Sequence, residues 1–177
     1  MADLVNSTLI VMGPEGILEQ FLDFSKGKET FFNYGVGDDL LLDAHKYIPI
    51  PDEVQKGRCR DCGYTGLELM MSNSVKWVAC PECGSKNTED WYNNQGCDWT
   101  TENWGTRKGF CGVQMKRHRG VVQFKFFTEW NPIDKVIIAM SEKYPDLYFA
   151  YQFEDEDGSF YGQRTYKEGK QKPFKYN

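Results

Sequence analysis

An α+β architecture, with helices on one face of a mainly antiparallel sheet and a small metal-binding ribbon inserted into it, follows from three observations. Apolar residues alternate with period two in several short stretches; two segments carry the helical 3.6 period; and two Cys-x-x-Cys pairs sit between those regions. Strands that precede and follow helices without a strict βαβ rhythm point to helices gathered on one side of the sheet.

Taken in order, Leu9 to Met12 reads as a buried strand, and Gly13-Pro14 opens a helix in which Ile17, Leu18, Phe21, Leu22 and Phe24 fall near one face and Gly27 is a fitting stop. Phe31 to Tyr34 and Leu40 to Leu42 fit short strands or irregular packing, and Ile48-Pro49-Ile50-Pro51 is extended, since proline disfavours helix in the residue before it. The aromatic-rich stretch Glu89 to Thr106, with Trp91, Tyr92, Trp99 and Trp104, predicts a helix or ordered loop laid on the sheet. Cys111 to Lys116 and Val121 to Thr128 form a hairpin turned near Arg119-Gly120, with Val122, Phe124 and Phe126 on one face. Asn131 is expected to cap a helix with Pro132 in its first turn and Ile133, Val136, Ile137 and Met140 as its apolar stripe. Leu147, Phe149, Tyr151 and Phe153 alternate in a further strand, which turns at Asp157-Gly158 into another from Ser159 to Thr165.

Cys59, Cys62, Cys80 and Cys83 are the chemical signature of the chain. Thiolates three positions apart reach one ion together, and Gly63 and Gly84 directly after each pair permit the tight turn this requires. Met1 to Asn6 runs straight into an apolar stretch without a charged, small-residue leader, so a reducing cytoplasm is expected and metal is favoured over disulfides. Four protein ligands leave no position for water, which makes the ion structural. Cys62-Gly63-Tyr64, Trp77 and Cys80-Pro81-Glu82-Cys83-Gly84 are also similar to rubredoxin knuckles, so iron stands as the alternative. The intervening Leu67 to Met71, Ser72 to Ser74 and Val75 to Ala79 read as two short strands around a turn, which favours a zinc ribbon. The ribbon is placed at residues 56–88, inserted into a discontinuous body of residues 1–55 and 89–177.

A chain of 177 residues, 40% apolar and 15% aromatic, buries a real core, and no apolar run reaches the length that spans a bilayer. Its net charge of -5 argues against bulk electrostatic coating of nucleic acid. Basic residues nevertheless cluster as Arg107, Lys108, Lys116, Arg117, Arg119 and Lys125, and again as Lys167, Lys170, Lys172 and Lys175. A solvated face accounts for such runs, and a phosphate-binding patch is the competing reading. No phosphate-cradling glycine loop, Gly-x-Ser-x-Gly or His-Glu-x-x-His occurs, so no enzymatic activity is expected. His45 and His118 read as surface or hydrogen-bonded residues, Cys97 and Cys111 as ordinary thiols, and Glu154 to Asp157 as a solvated turn.

Three segments carry a family resemblance: Asn103-Trp104-Gly105-Thr106-Arg107, Phe127-Thr128-Glu129-Trp130-Asn131-Pro132 and Tyr144-Pro145-Asp146-Leu147. Together with the opening strand and Gly13-Pro14 they resemble the YubB ferredoxin-like family of plasmid and phage proteins, across most of the chain outside the ribbon. Arg107 stands where that family has Lys, and Asn131 with Ile133 departs from its Ser-Pro-Pro. The resemblance implies a ferredoxin-like sheet, a fold name without an iron-sulfur cluster, and a phage or plasmid origin. Trp104 beside Arg107 and Lys108 is either a buried ring packed over the Gly105 turn, the favoured reading, or an exposed ring that stacks a ligand; the same choice applies to Trp130.

The expected function is that of a non-enzymatic, zinc-containing interaction protein that binds a host protein and counters a host defence system. The alternative is nucleic-acid binding through the ribbon and the basic 107–125 segment, with Trp104, Arg107, Lys108, Lys116, Arg117 and Arg119 as candidate contacts. Within the ribbon Lys56, Arg58, Arg60, Lys76 and Lys86 are balanced by Asp61, Glu68, Glu82, Glu89 and Asp90, which gives phosphate no preference there.

Overall fold

The fold is taken from a computed structural model that describes residues 3–28, 39–51, 56–67, 79–89 and 97–173. The expectations placed on Phe31 to Tyr34, on residues 68–78 of the ribbon, on Trp91 and Tyr92 and on Lys175 lie outside these residues.

Strand β1 (Leu4–Met12) leads into helix α1 (Glu15–Ser25), which starts directly after Pro14 and buries Leu18, Phe21, Leu22 and Ser25. A long excursion follows. It contains the pair β2 (Gly27–Lys28) and β3 (Asp39–Leu40), a 3-10 turn at Ala44–Lys46, the ribbon strands β4 (Gly57–Cys59), β5 (Thr65–Leu67) and β6 (Thr88–Glu89), and helix α2 (Cys97–Trp104). The chain then returns through β7 (Cys111–His118), β8 (Val121–Glu129), α3 (Asp134–Lys143), β9 (Tyr148–Asp155), β10 (Tyr161–Lys167) and β11 (Lys170–Lys172).

Six strands form one sheet in the order β11-β10-β9-β1-β8-β7, antiparallel throughout. Within it β1-α1-β7 and β8-α3-β9 are two interleaved strand-helix-strand units, a split β-α-β arrangement extended by β10 and β11. Alternation makes the layering: Val5, Leu9 and Val11 of β1, Val122, Phe124 and Phe126 of β8, and Phe149, Tyr151 and Phe153 of β9 are all buried in one core beneath the helices. Phe21 anchors α1 there, edge-on to Phe124 at 6.2 Å and to Phe149 at 5.7 Å. Val136, Ile137 and Met140 anchor α3. On the helix side Asp134 also receives bonds from Arg164 and Tyr166, which ties α3 to β10.

One cap differs from expectation. Helix α3 begins at Asp134 with Ile133 before it and no side-chain cap, because Asn131 is used in the preceding corner. There the Asn131 N–H donates to Glu129 O and Thr128 Oγ1 donates to Asn131 O, while Trp130 adopts a φ of 70°. The short strand β11 is also an addition to the sequence reading, which saw only basic charge in that stretch.

Candidate metal centre

Each half of the ribbon closes the same way. The Cys59 N–H donates to Tyr64 O at 2.9 Å and the Gly63 N–H to Cys59 O at 2.9 Å; the Cys80 N–H donates to Ser85 O at 2.8 Å and the Gly84 N–H to Cys80 O at 2.8 Å. Gly63 and Gly84 hold φ of 75° and 70° with open space around them, so the glycines are required for backbone conformation and not for room. Two equivalent knuckles thus face one another.

Their sulfurs converge. Cys59 Sγ lies 3.6 Å from Cys83 Sγ and Cys62 Sγ lies 3.6 Å from Cys80 Sγ, with all four ligand atoms within 4.8 Å of one another. A tetrahedral ion with metal–sulfur bonds of about 2.3 Å sets its ligands about 3.8 Å apart, so the cluster has the size of an S4 metal cage. Such a donor set suits zinc or iron.

The backbone N–H of Cys62, aimed at the sulfur, draws the Cys59 thiol down to about 7. Cys83 receives the Ser85 N–H, which lowers its pKa, yet the nearby Cys62 sulfur and burial outweigh that and push it up to about 12. Four sulfurs so close cannot all ionise against one another, and a cation among them removes the conflict by displacing the protons.

A second layer braces the knuckles. Asp61 accepts from Asn87 Nδ2 at 2.6 Å and from Ser85 Oγ, and these bonds hold its carboxyl below the usual carboxylate range. The Arg60 N–H donates to Asn87 O at 2.9 Å, and Arg60 Nε pairs with Glu89 at 2.8 Å. Cys59, Leu67 and Cys80 are buried but stand outside the core cluster of the body. Around them Arg58, Arg60, Asp61, Glu82 and Lys86 are exposed, a rim of mixed charge.

The other candidate contacts do not assemble into one patch. Trp104 is fully buried and its Nε1 donates to Ile48 O at 2.9 Å, so it presents no ring face to a ligand. Trp130 is the reverse case: it is 43% exposed, against the packing expected for it, with the Arg107 guanidinium 4.9 Å from its ring centroid. Lys108 pairs with buried Glu129 at 2.7 Å, and Arg107 Nε lies 3.8 Å from the same carboxylate. Arg117 reaches Glu15 and Glu19 of α1, whereas Lys116 and Arg119 are exposed. Of the histidines, His45 accepts the Ile50 N–H on Nδ1 at 3.1 Å and His118 is exposed. Cys97 accepts from Arg107 Nε at 3.2 Å and Cys111 is buried. Sequence reasoning missed the corner at Glu129 and Trp130. There Thr106 Oγ1 donates to Glu129 O at 2.7 Å, and the close approach of Gly105 to Pro132 O leaves little room for a side chain.

Residues 110–174 match the family model described as the ferredoxin-like domain in Api92-like protein. The fold is ferredoxin-like. A crystal structure of a protein api92 from Yersinia pseudotuberculosis is similar to the whole chain, with a TM-score of 0.53 at 9% identity, covering 100% of this chain and 99% of that one. At that identity the likeness concerns the fold. No curated protein matches the sequence. Among the described residues no helix is long and apolar enough to cross a membrane.

Proposed function

We infer that the chain is a non-enzymatic interaction protein, carried by a phage or plasmid, whose zinc-ordered ribbon docks onto a protein of the host cytoplasm and counters a host defence system. The observation behind this reading is the four-sulfur cage, whose ligands satisfy a tetrahedral ion completely and leave no coordination position for a substrate or water. An ion so enclosed orders backbone, and what it orders here is a small surface. That surface carries both signs of charge, Arg58 and Lys86 beside Asp61 and Glu82, as suits a protein partner better than a polyanion. The mobile-element origin and the host target rest on the YubB resemblance.

The alternative, nucleic acid held by the ribbon and the 107–125 segment, loses support because Arg107, Lys108 and Arg117 are engaged by Glu129, Glu15 and Glu19. The test is affinity capture from host lysate with the metal-loaded chain and with a charge-reversed ribbon, Arg58→Glu with Lys86→Glu. A stoichiometric protein retained by the first and lost with the second is expected; equal retention by both would remove the ribbon from the reading.

A further inference from the structure

The side of the sheet opposite the helices carries a second surface, and strand register shows how it is built. Directly opposed residues of antiparallel strands lie on the same face. Gln114 opposes Lys125, Lys125 opposes Thr8, Thr8 opposes Gln152 and Gln152 opposes Gln163, one unbroken polar row across β7, β8, β1, β9 and β10. The adjacent row, about 7 Å away along the strands, runs Phe127, Asn6, Glu154 and Tyr161. Tyr161 is 84% exposed, and the Phe127 ring rests against Gly112, where a Cβ would stand 2.7 Å from the ring. These two rows line a shallow, open depression of about 730 Å³. On the other flank a third row begins at Lys116 and ends at Lys172.

Charge on this face runs against the balance of the chain. Lys116, Lys125, Lys167, Lys170 and Lys172 lie on it by register, against the single exposed carboxylate Glu154 within the rows; the whole chain has a net charge of -5. Glu129 shares the face but is buried against Lys108 and Arg107, and Lys172 is shared with Glu168 at 3.4 Å. Lys167 stands directly opposite Lys170, an arrangement that costs stability unless an anion lies over it.

We propose that the face of the six-stranded sheet opposite the described helices binds single-stranded nucleic acid, with bases stacked on Phe127 and Tyr161, base edges read by Asn6, Gln152 and Gln163, and phosphates held by Lys125, Lys116 and the β10–β11 lysines. Rings give every base a surface to stack on, and side-chain amides donate and accept to base edges, neither of which an acidic peptide would need. A duplex keeps its bases paired and stacked inside, so the rings would gain nothing from it. The face takes about two or three stacked bases, as four-stranded sheets of this kind of surface do. This site lies apart from the ribbon and stands or falls independently of it.

The experiment is fluorescence anisotropy of labelled oligo(dT), oligo(rU) and a duplex of equal length with the metal-loaded full chain, at salt between about 50 and 200 mM. Both single strands are expected to bind more tightly than the duplex. Tyr161→Ala, at a largely exposed position, should lose roughly tenfold, within the range of one stacked base. Lys125→Gln should lower the log K against log salt slope by about 0.7, the single-strand value for one phosphate. Arg58→Glu with Lys86→Glu in the ribbon should leave single-strand binding unchanged. Absence of binding at low salt, equal affinity for duplex, or affinity untouched by Tyr161→Ala and Lys125→Gln would each overturn the proposal. So would displacement by polyglutamate with no dependence on Tyr161, which would assign the face to acidic peptides.

Discussion

Asn87 Nδ2 donates to Asp61 Oδ1 across 2.6 Å, joining a residue inside the first Cys-x-x-Cys pair to one just past the second. Because Asp61 also accepts from Ser85, one carboxylate sets the distance between the knuckles and so between their sulfurs. Outer partners of this type commonly change metal affinity 10- to 100-fold, so Asp61→Ala should release the ion to a chelator at least about tenfold faster with all four cysteines intact. Chromophoric chelator kinetics on the metal-loaded protein measure this, and an unchanged rate would make the brace irrelevant to retention.

Metal removal should act locally. Cys59, Leu67 and Cys80 contribute nothing to the core beneath the helices, so Cys80→Ser or strong chelation is expected to expose residues 56–67 and 79–89 to hydrogen exchange. Amides of β1, β8 and β9 should keep their protection, since that sheet buries its own aromatic core. Loss of protection across the whole chain would contradict this independence.

Trp104 combines two contributions that separate substitutions resolve. Trp104→Phe keeps a ring but leaves Ile48 O without its donor, a cost of about 1–3 kcal/mol. Trp104→Ala also removes a fully buried ring from the core and should cost about 3–5 kcal/mol. Urea unfolding of the two variants, followed by circular dichroism, gives both values; equal losses would mean that the hydrogen bond carries the whole effect and the packing of the ring adds nothing.

Alkaline pH should unfold the body. Burial raises the Tyr151 hydroxyl well above the ordinary tyrosine range, and its bond to Ser7 Oγ only partly offsets this. A raised folded pKa means that the stabilisation is complete below the unfolded value of about 10 and is lost as pH rises beyond it, by up to about 1.4 kcal/mol per pH unit for one group. Thermal melts from pH 8 to 11 should therefore show Tm falling above about pH 10, more steeply in the wild type than in Tyr151→Phe. Parallel profiles would exclude Tyr151 as the source.

Local chemistry was readable in advance. The two Cys-x-x-Cys pairs and the glycines behind them are short-range features, and the knuckle hydrogen bonds close within six residues of each first cysteine. The alternation in β8 and β9 and the stripe on α3 likewise announce which residues are buried. The two tryptophans illustrate what was not readable. Trp104 and Trp130 both stand beside turns and charges in the sequence, but only the packing of α2 on the body buries the first, and only the positive φ at the second turns its ring outward. Asn131 looked like a cap because Asn-Pro so often is one; long-range bonds, from Trp130 N–H to Asp3 O and from Thr106 Oγ1 to Glu129 O, fix the corner differently.

What the amino-acid order determined alone was the two Cys-x-x-Cys knuckles, the helical stripes and the alternating strands, since each depends on residues a few positions apart; the convergence of the knuckles, whose facing sulfurs belong to residues 18 and 24 positions apart, needed the fold. Tertiary structure decided the strand order, and with it the surface opposite the helices. Lys116 and Lys172, far apart in the chain, end the same row because every pair between them is in register, and that relation exists only once the antiparallel ladder has formed.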